Sequence, residues 1–355
     1  MIIKLNSTYF WLPVYLYNEP EALRYFITIL EFLLYIFTFY VVTINLKTYL
    51  KIQMFHRNFL ILGTPMFGLW YELITAKFIT MAYQLNIINY GYDDGDFLSI
   101  WTTKESEMLL VDSLDGLELL VFAGYLEWHY IFSMLFGMVA CVAERTIASM
   151  LIDNYETSTS LVIPVTLTLL TQSSALPFAY FILTYKIGVV IGNLTWIIVC
   201  SFSVLMFFLV KYLNETWHRQ MQDPKRKVSF TVSQRFQVKE NLRAFALAHR
   251  VCYVVMGVTV TFGSAVIAQC FDLIPPFLCH FAENVIFLNP LPICSMTMYS
   301  LPAWKQHFLR SFPSFQLKRA PRKVGVASVE PIEDSKKKLD KETNIYFEQL
   351  NKSWI

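Results

Sequence analysis

A helix that crosses a bilayer needs about 20 consecutive, mostly apolar residues, because about 1.5 Å of rise per residue has to cover roughly 30 Å of hydrocarbon. The chain supplies such stretches again and again: Tyr25 to Leu46, Phe59 to Tyr83, Leu117 to Ala143, Leu161 to Leu183, Gly188 to Leu213, Ala244 to Phe271 and Phe277 to Tyr299. Composition agrees, since 55% of the 355 residues are hydrophobic and only 16% are charged, with a mean hydropathy of +0.44. Backbone N–H and C=O groups in lipid must be satisfied within the span, which favours helices. The expected fold is therefore an all-α integral membrane bundle of seven transmembrane helices. Residues 1–24 form an amino-terminal segment, 25–299 the bundle, 300–316 a membrane-surface helix and 317–355 a tail.

Orientation follows from the cations, because Lys and Arg collect on the cytoplasmic side. Of the 29 Lys and Arg residues, 24 fall on one side of the expected bundle, including nine from Lys211 to Arg250 and eleven from Lys305 onward. The other side holds Lys4, Arg24, Lys104 and Lys186, and Lys77 lies within a segment. This predicts an amino terminus outside and a carboxy terminus in the cytoplasm. Asn6-Ser7-Thr8 is an N-glycosylation sequon on the outer side. Trp304, Phe308 and Phe312 share a helical face opposite Lys305 and Arg310, the pattern of an amphipathic helix on the inner leaflet. The six cysteines lie in or beside apolar runs and read as small buried hydrophobes, although Cys270 and Cys279 could pair at the outer face.

Catalytic chemistry has no support in the sequence. The six histidines make neither HxxH nor HExxH, and there is no phosphate-binding loop, GxGxxG or CxxC. Nothing calls for a cofactor, a metal or a nucleic-acid partner. Repeated halves, which mark many transporters, are also absent. Function then rests on ionisable groups inside the spans, which are costly unless paired or facing water and so tend to line cavities. Glu72, Lys77, Glu127, His129, His280 and Glu283 fall at similar depths in the outer part of segments two, three and seven, by rise per residue. They form a candidate ligand pocket opening outward; the alternative is that Lys77 and Glu283 reach the interface and Glu72 or His129 only joins helices. At the inner end of segment three the apolar run stops at Glu144-Arg145, either as a marker of the interface or as a switch released when helix ends separate. Asn289-Pro290 adds a break in segment seven, where Pro removes a backbone hydrogen bond.

Three further stretches carry a resemblance. They are Ala143-Glu144-Arg145-Thr146-Ile147-Ala148 followed by Asp153-Asn154-Tyr155-Glu156; Ser233-Gln234-Arg235-Phe236-Gln237-Val238-Lys239-Glu240-Asn241-Leu242-Arg243; and the tail from Glu342 to Trp354. Through these and through its topology, the chain resembles the nematode serpentine receptor class epsilon family of chemosensory G-protein-coupled receptors. The resemblance implies that Glu144 and Arg145 match the acid-Arg pair of this superfamily. It also implies that Arg235, Phe236, Lys239, Glu240, Asn241 and Arg243 face a heterotrimeric G protein. A small odorant or pheromone-like ligand, a plasma-membrane location and sensory cilia come with it. Two features depart from rhodopsin-like receptors: segment three has no Cys at its outer start, and Asn289-Pro290 is followed by Leu291, Pro292 and Ile293 without a Tyr. The competing expectation is a seven-helix ligand-gated channel or transporter working without a G protein.

Overall fold

The computed structural model describes residues 1–15, 20–52, 54–88, 108–151, 161–222, 231–270, 273 and 278–312. The expected tail, its Glu342 to Trp354 motif, Asp153 to Glu156 and the side chains of Cys270 and Cys279 lie outside the described residues.

Helices occupy the apolar stretches: α1 (Glu21–Lys51), α2 (Arg57–Gln84), α3 (Glu118–Met150), α4 (Val162–Leu183), α5 (Val189–Gln222) and α6 (Val232–Cys270). They are followed by α7 (Cys279–Phe287), α8 (Pro290–Ser300) and α9 (Pro302–Arg310). Five of these, α1 to α5, are long and apolar enough to cross a membrane, and six spans result if residues 280–310 are taken as one bent span. The polar residues these helices carry are largely satisfied at home. Thr28, Thr38, Asn45 and Thr48 of α1 donate to carbonyls four residues earlier, at 2.7–3.0 Å, a bonding mode that costs little in a medium without water.

The third helix is the hub, packing against α2, α4, α5 and α6. By contrast α4 and α5 are peripheral. Leu169 and Leu170 on α4, and Ile197, Ile198, Phe202 and Leu205 on α5, are exposed, as suits a face solvated by acyl chains. The last apolar stretch is interrupted where its sequence predicts a break: α7 stops at Phe287, and α8 restarts with Pro290 at its first position. Here the missing Pro N–H is one that a helix start leaves unbonded anyway. A bend of 120° then turns the chain into α9. Trp304 and Phe308 of α9 are buried, Trp304 Nε1 donates to the Ile52 carbonyl at 2.9 Å, and His307 Nδ1 lies 2.9 Å from Thr48 Oγ1. Lys305 and Arg310 remain exposed on its other side.

The all-α expectation needs one correction. Ile2–Leu5 (β1), Thr8–Trp11 (β2) and Leu109–Val111 (β3) form a sheet in the order β2-β1-β3. β1 and β2 pair antiparallel, and β1 and β3 parallel. β-Branched and aromatic residues flank a two-residue turn, Asn6-Ser7, in which Asn6 takes φ 51°, a left-handed conformation that Asn tolerates. The sheet closes one end of the bundle. Met1, Ile3, Leu12 and Val14 join Tyr83, Leu117, Leu120 and Leu183 from α2, α3 and α4 in one apolar cluster. Leu12 enters over Gly124, where a Cβ would lie 2.7 Å from Leu12 Cδ2 and 2.9 Å from its Cγ, so only glycine gives it room. Trp11 packs against Trp128 with the rings tilted by 59° and 4.7 Å between centroids, and the Trp128 indole donates to the Trp11 carbonyl at 2.8 Å.

Candidate functional site

Beneath the amino-terminal sheet, the six ionisable residues of the candidate pocket divide into two groups. The first joins α1, α2, α3 and α7. Lys77 Nζ pairs with Glu283, and both side chains are all but completely buried. The other Glu283 oxygen accepts the Tyr15 backbone N–H at 3.1 Å, while Gln84 Nε2 donates to the Tyr15 carbonyl at 3.1 Å. The Tyr15 ring meets His280 edge-on at 4.8 Å. His280 Nδ1 is 3.5 Å from Glu31 Oε1, and that same oxygen accepts the Asn284 amide. Tyr35 donates to Asn284 Oδ1 at 3.0 Å. Glu127 is fully buried beside this network, where the charges of Lys77 and Glu283 act on it. One turn further along α3, Tyr130 donates to Asn289 Oδ1 at 2.6 Å, so the helix bearing Glu127 holds the break between α7 and α8.

The second group joins α2, α3 and α4. His129 Nδ1 lies 2.6 Å from Glu72 Oε1, and its Nε2 lies 2.8 Å from Gln172 Oε1 and 3.0 Å from Ser133 Oγ. Tyr125 stacks on the imidazole at 6.3 Å. Glu72 is only partly buried, whereas His129 and Ser133 are buried. Sequence spacing places all six residues at one depth but not on one helical face. His129 follows Glu127 by two positions, and on a helix such residues do not face each other. Glu31, Tyr35, Gln84, Gln172 and Asn284 are members that the sequence reading does not reach. Glu31 carries the clearest signal, a single acid within an otherwise apolar span.

At the opposite end of the bundle, Arg145 is the centre of a buried polar knot. Its Nε and Nη2 donate to the two Glu144 oxygens at 2.5 and 2.6 Å. Its Nη1 donates to Asn241 Oδ1 at 3.0 Å and to Glu240 Oε1 at 3.4 Å. The guanidinium also lies over the Phe59 ring, 4.8 Å from its centroid. Asn241 Nδ2 donates to Ser149 Oγ at 3.0 Å and to Asn214 Oδ1 at 3.1 Å, and Asn214 Nδ2 donates to Ser149 Oγ at 2.8 Å. Glu240 Oε1 further accepts the His56 backbone N–H at 2.7 Å. One knot therefore ties α3, α5, α6 and the start of α2.

The α6 residues separate by face. Glu240 and Asn241 point inward to Arg145, whereas Arg235, Phe236, Lys239 and Arg243 are exposed. Asn214 and Ser149 are buried members that the sequence reading leaves out. Asn6 is exposed in the β1–β2 turn.

Comparison with known proteins identifies a family. Residues 1–355 match the family described as "Sre G protein-coupled chemoreceptor". Among curated relatives, serpentine receptor class epsilon-27 of Caenorhabditis elegans is 44% identical over 363 residues, and class epsilon-29 and class epsilon-32 of the same organism are 44% identical over 356 and 361 residues. In each case the match covers 100% of this chain and 100% of the relative. A mostly helical chain with several apolar spans and an end-to-end match of this kind is a multi-pass membrane protein, and it belongs to the serpentine receptor class epsilon family of G-protein-coupled chemoreceptors.

Proposed function

We propose that the chain is a seven-helix receptor of the plasma membrane, amino terminus outside and carboxy terminus in the cytoplasm, that binds an external small molecule and signals through a heterotrimeric G protein. In this reading α6 is a span, α7 and α8 together make the seventh, residues 300–316 lie along the inner leaflet, and residues 317–355 form the cytoplasmic tail. Asn6 is glycosylated, and sensory cilia are the site of action. The pocket lies at the sheet-covered end, formed by Glu72, Lys77, Glu127, His129, His280 and Glu283.

The observation that carries the reading is the Arg145 knot. Glu144 lies on the same helix as Arg145 and stays its partner however the helices move. Glu240 and Asn241 lie on α6, so their bonds to Arg145 report the separation of α3 from α6. Such bonds define a closed state, and a ligand that binds the open state better shifts the population. Between the two ends, Tyr130 on α3 donates to Asn289 at the α7–α8 break. Once α6 swings away, Arg235, Phe236, Lys239 and Arg243 offer a basic and apolar surface to an acidic partner.

The test is a screen of volatile and pheromone-like compounds on cells that express the receptor with a promiscuous G protein. A ligand-dependent second-messenger response is expected. Replacing Lys239 and Arg243 by Glu should cut it by about tenfold or more, because like charges placed against a partner surface are strongly disfavoured. A ligand-evoked current that persists without any G protein would overturn the proposal in favour of a channel.

A further inference from the structure

The network around Lys77 and Glu283 has unanswered acceptors. Among the described residues, both carboxylate oxygens of Glu127 are buried without a hydrogen-bond partner, as are Glu31 Oε2 and Gln84 Oε1. Two nearby cations have other partners. Lys77 pairs with Glu283, and the amino group of Met1 donates to the Leu12 and Val14 carbonyls at 2.7 and 2.8 Å. A buried acid with neither oxygen bonded is costly, and an ionisable group retained at that cost inside a membrane bundle marks a functional position.

The chemistry of Glu127 selects its complement. Glu127 presents two carboxylate acceptors and no donor, so its complement must bring donors. An ammonium has three donors and no acceptor. A hydroxyl brings only one donor, and a carboxylate would face Glu31, Glu127 and Glu283 with further negative charge. The Tyr35 and Phe287 rings already receive a cation, with Lys77 Nζ 5.9 and 5.3 Å from their centroids, an arrangement that aromatic faces favour electrostatically.

We propose that the buried Glu127 carboxylate seats a protonated organic amine, whose ammonium supplies the donors that Glu127 lacks. This rests on the receptor reading and gives its ligand a chemical class. Glu127 is then a binding residue, and the unliganded bundle is less stable for keeping it.

Thermal melting and binding on the full chain in lipid nanodiscs test the proposal without any G protein, using phenethylamine and n-hexylamine beside the alcohols and carboxylates of matching skeleton. The amines should raise the melting temperature and the matched compounds should not. Glu127→Gln should melt no lower than the unsubstituted receptor and should bind the amines about thirtyfold or more weakly, as expected for removing one partner of a buried charge pair. Glu127→Asp should keep part of the binding.

Amine binding unchanged in Glu127→Gln, equal stabilisation by the alcohols or carboxylates, or a folded receptor that binds neither amine would each overturn the inference. So would lowered melting of both Glu127 variants, which would make the residue structural. Amine binding that never drives nucleotide exchange would sink the signalling proposal and leave this one standing. Exchange driven equally well through the unsubstituted receptor and Glu127→Gln would do the reverse.

Discussion

Lys77→Ala is expected to destabilise the folded receptor by about 3–5 kcal/mol, the range observed when one partner of a buried ion pair is removed. Lys77 and Glu283 are both almost wholly excluded from solvent. Without the ammonium, Glu283 keeps a single described donor, the Tyr15 N–H, and lies near a second buried acid, Glu127. The loss should appear as a sharp fall in surface expression and in the melting temperature of purified protein. Pairing Lys77→Met with Glu283→Met should recover most of it, because replacing a whole buried pair with well-packed apolar side chains is often neutral or stabilising. Equal damage from the single and the double substitution would mean that the helices are held here by something other than the pair. The double variant should nevertheless respond poorly to ligand, which separates folding from recognition at this level of the bundle.

Asn241→Ala should raise signalling in the absence of ligand by roughly tenfold or more. The substitution removes the nearer of the two α6 acceptors of Arg145 Nη1 and the donor shared with Ser149 and Asn214. A hydrogen bond to a charged group contributes about 1.5–3 kcal/mol and a neutral one about 1 kcal/mol. Each ~1.4 kcal/mol taken from the closed state shifts the population tenfold. Basal nucleotide exchange in membranes matched for receptor density is the readout. Glu240→Gln should act in the same direction but more weakly, since its oxygen stands at 3.4 Å from Arg145 and a neutral amide can still accept. Unchanged basal exchange in Asn241→Ala, with surface expression intact, would mean that the knot joins helices without gating them.

The main helical frame is legible in the sequence because hydrophobic run length is a one-dimensional signal that the bilayer itself imposes. Its edges are less so. Segment six is expected from Ala244, where the apolar run begins, yet α6 starts at Val232, because a helix can continue past the hydrocarbon on an amphipathic face. The break at Asn289-Pro290 is readable from proline chemistry alone. The amino-terminal sheet is not, since two strands of four residues are too short to show a period, and β3 arrives from a distant loop to complete them.

The candidate site shows the same division. That Lys77, Glu127 and Glu283 need partners follows from their cost in lipid, whereas Lys77 pairing with Glu283 and Glu127 lacking a bonded donor depend on how four helices are rotated about their axes. No local pattern records that. Arg145 is conspicuous at the end of an apolar run, but Asn214, Ser149 and Gln172 are ordinary polar residues whose roles exist only once α3, α4, α5 and α6 are packed together.

The account depends most on which end of the bundle faces the cell interior. Cysteine labelling with a membrane-impermeant maleimide measures this directly, with the unsubstituted receptor as background control. Ser7→Cys in the exposed β1–β2 turn and Lys239→Cys on the exposed face of α6 are the two positions. Ser7→Cys should be labelled on intact cells and Lys239→Cys only after permeabilisation; labelling of Lys239→Cys on intact cells, with Ser7→Cys protected, would contradict the receptor assignment.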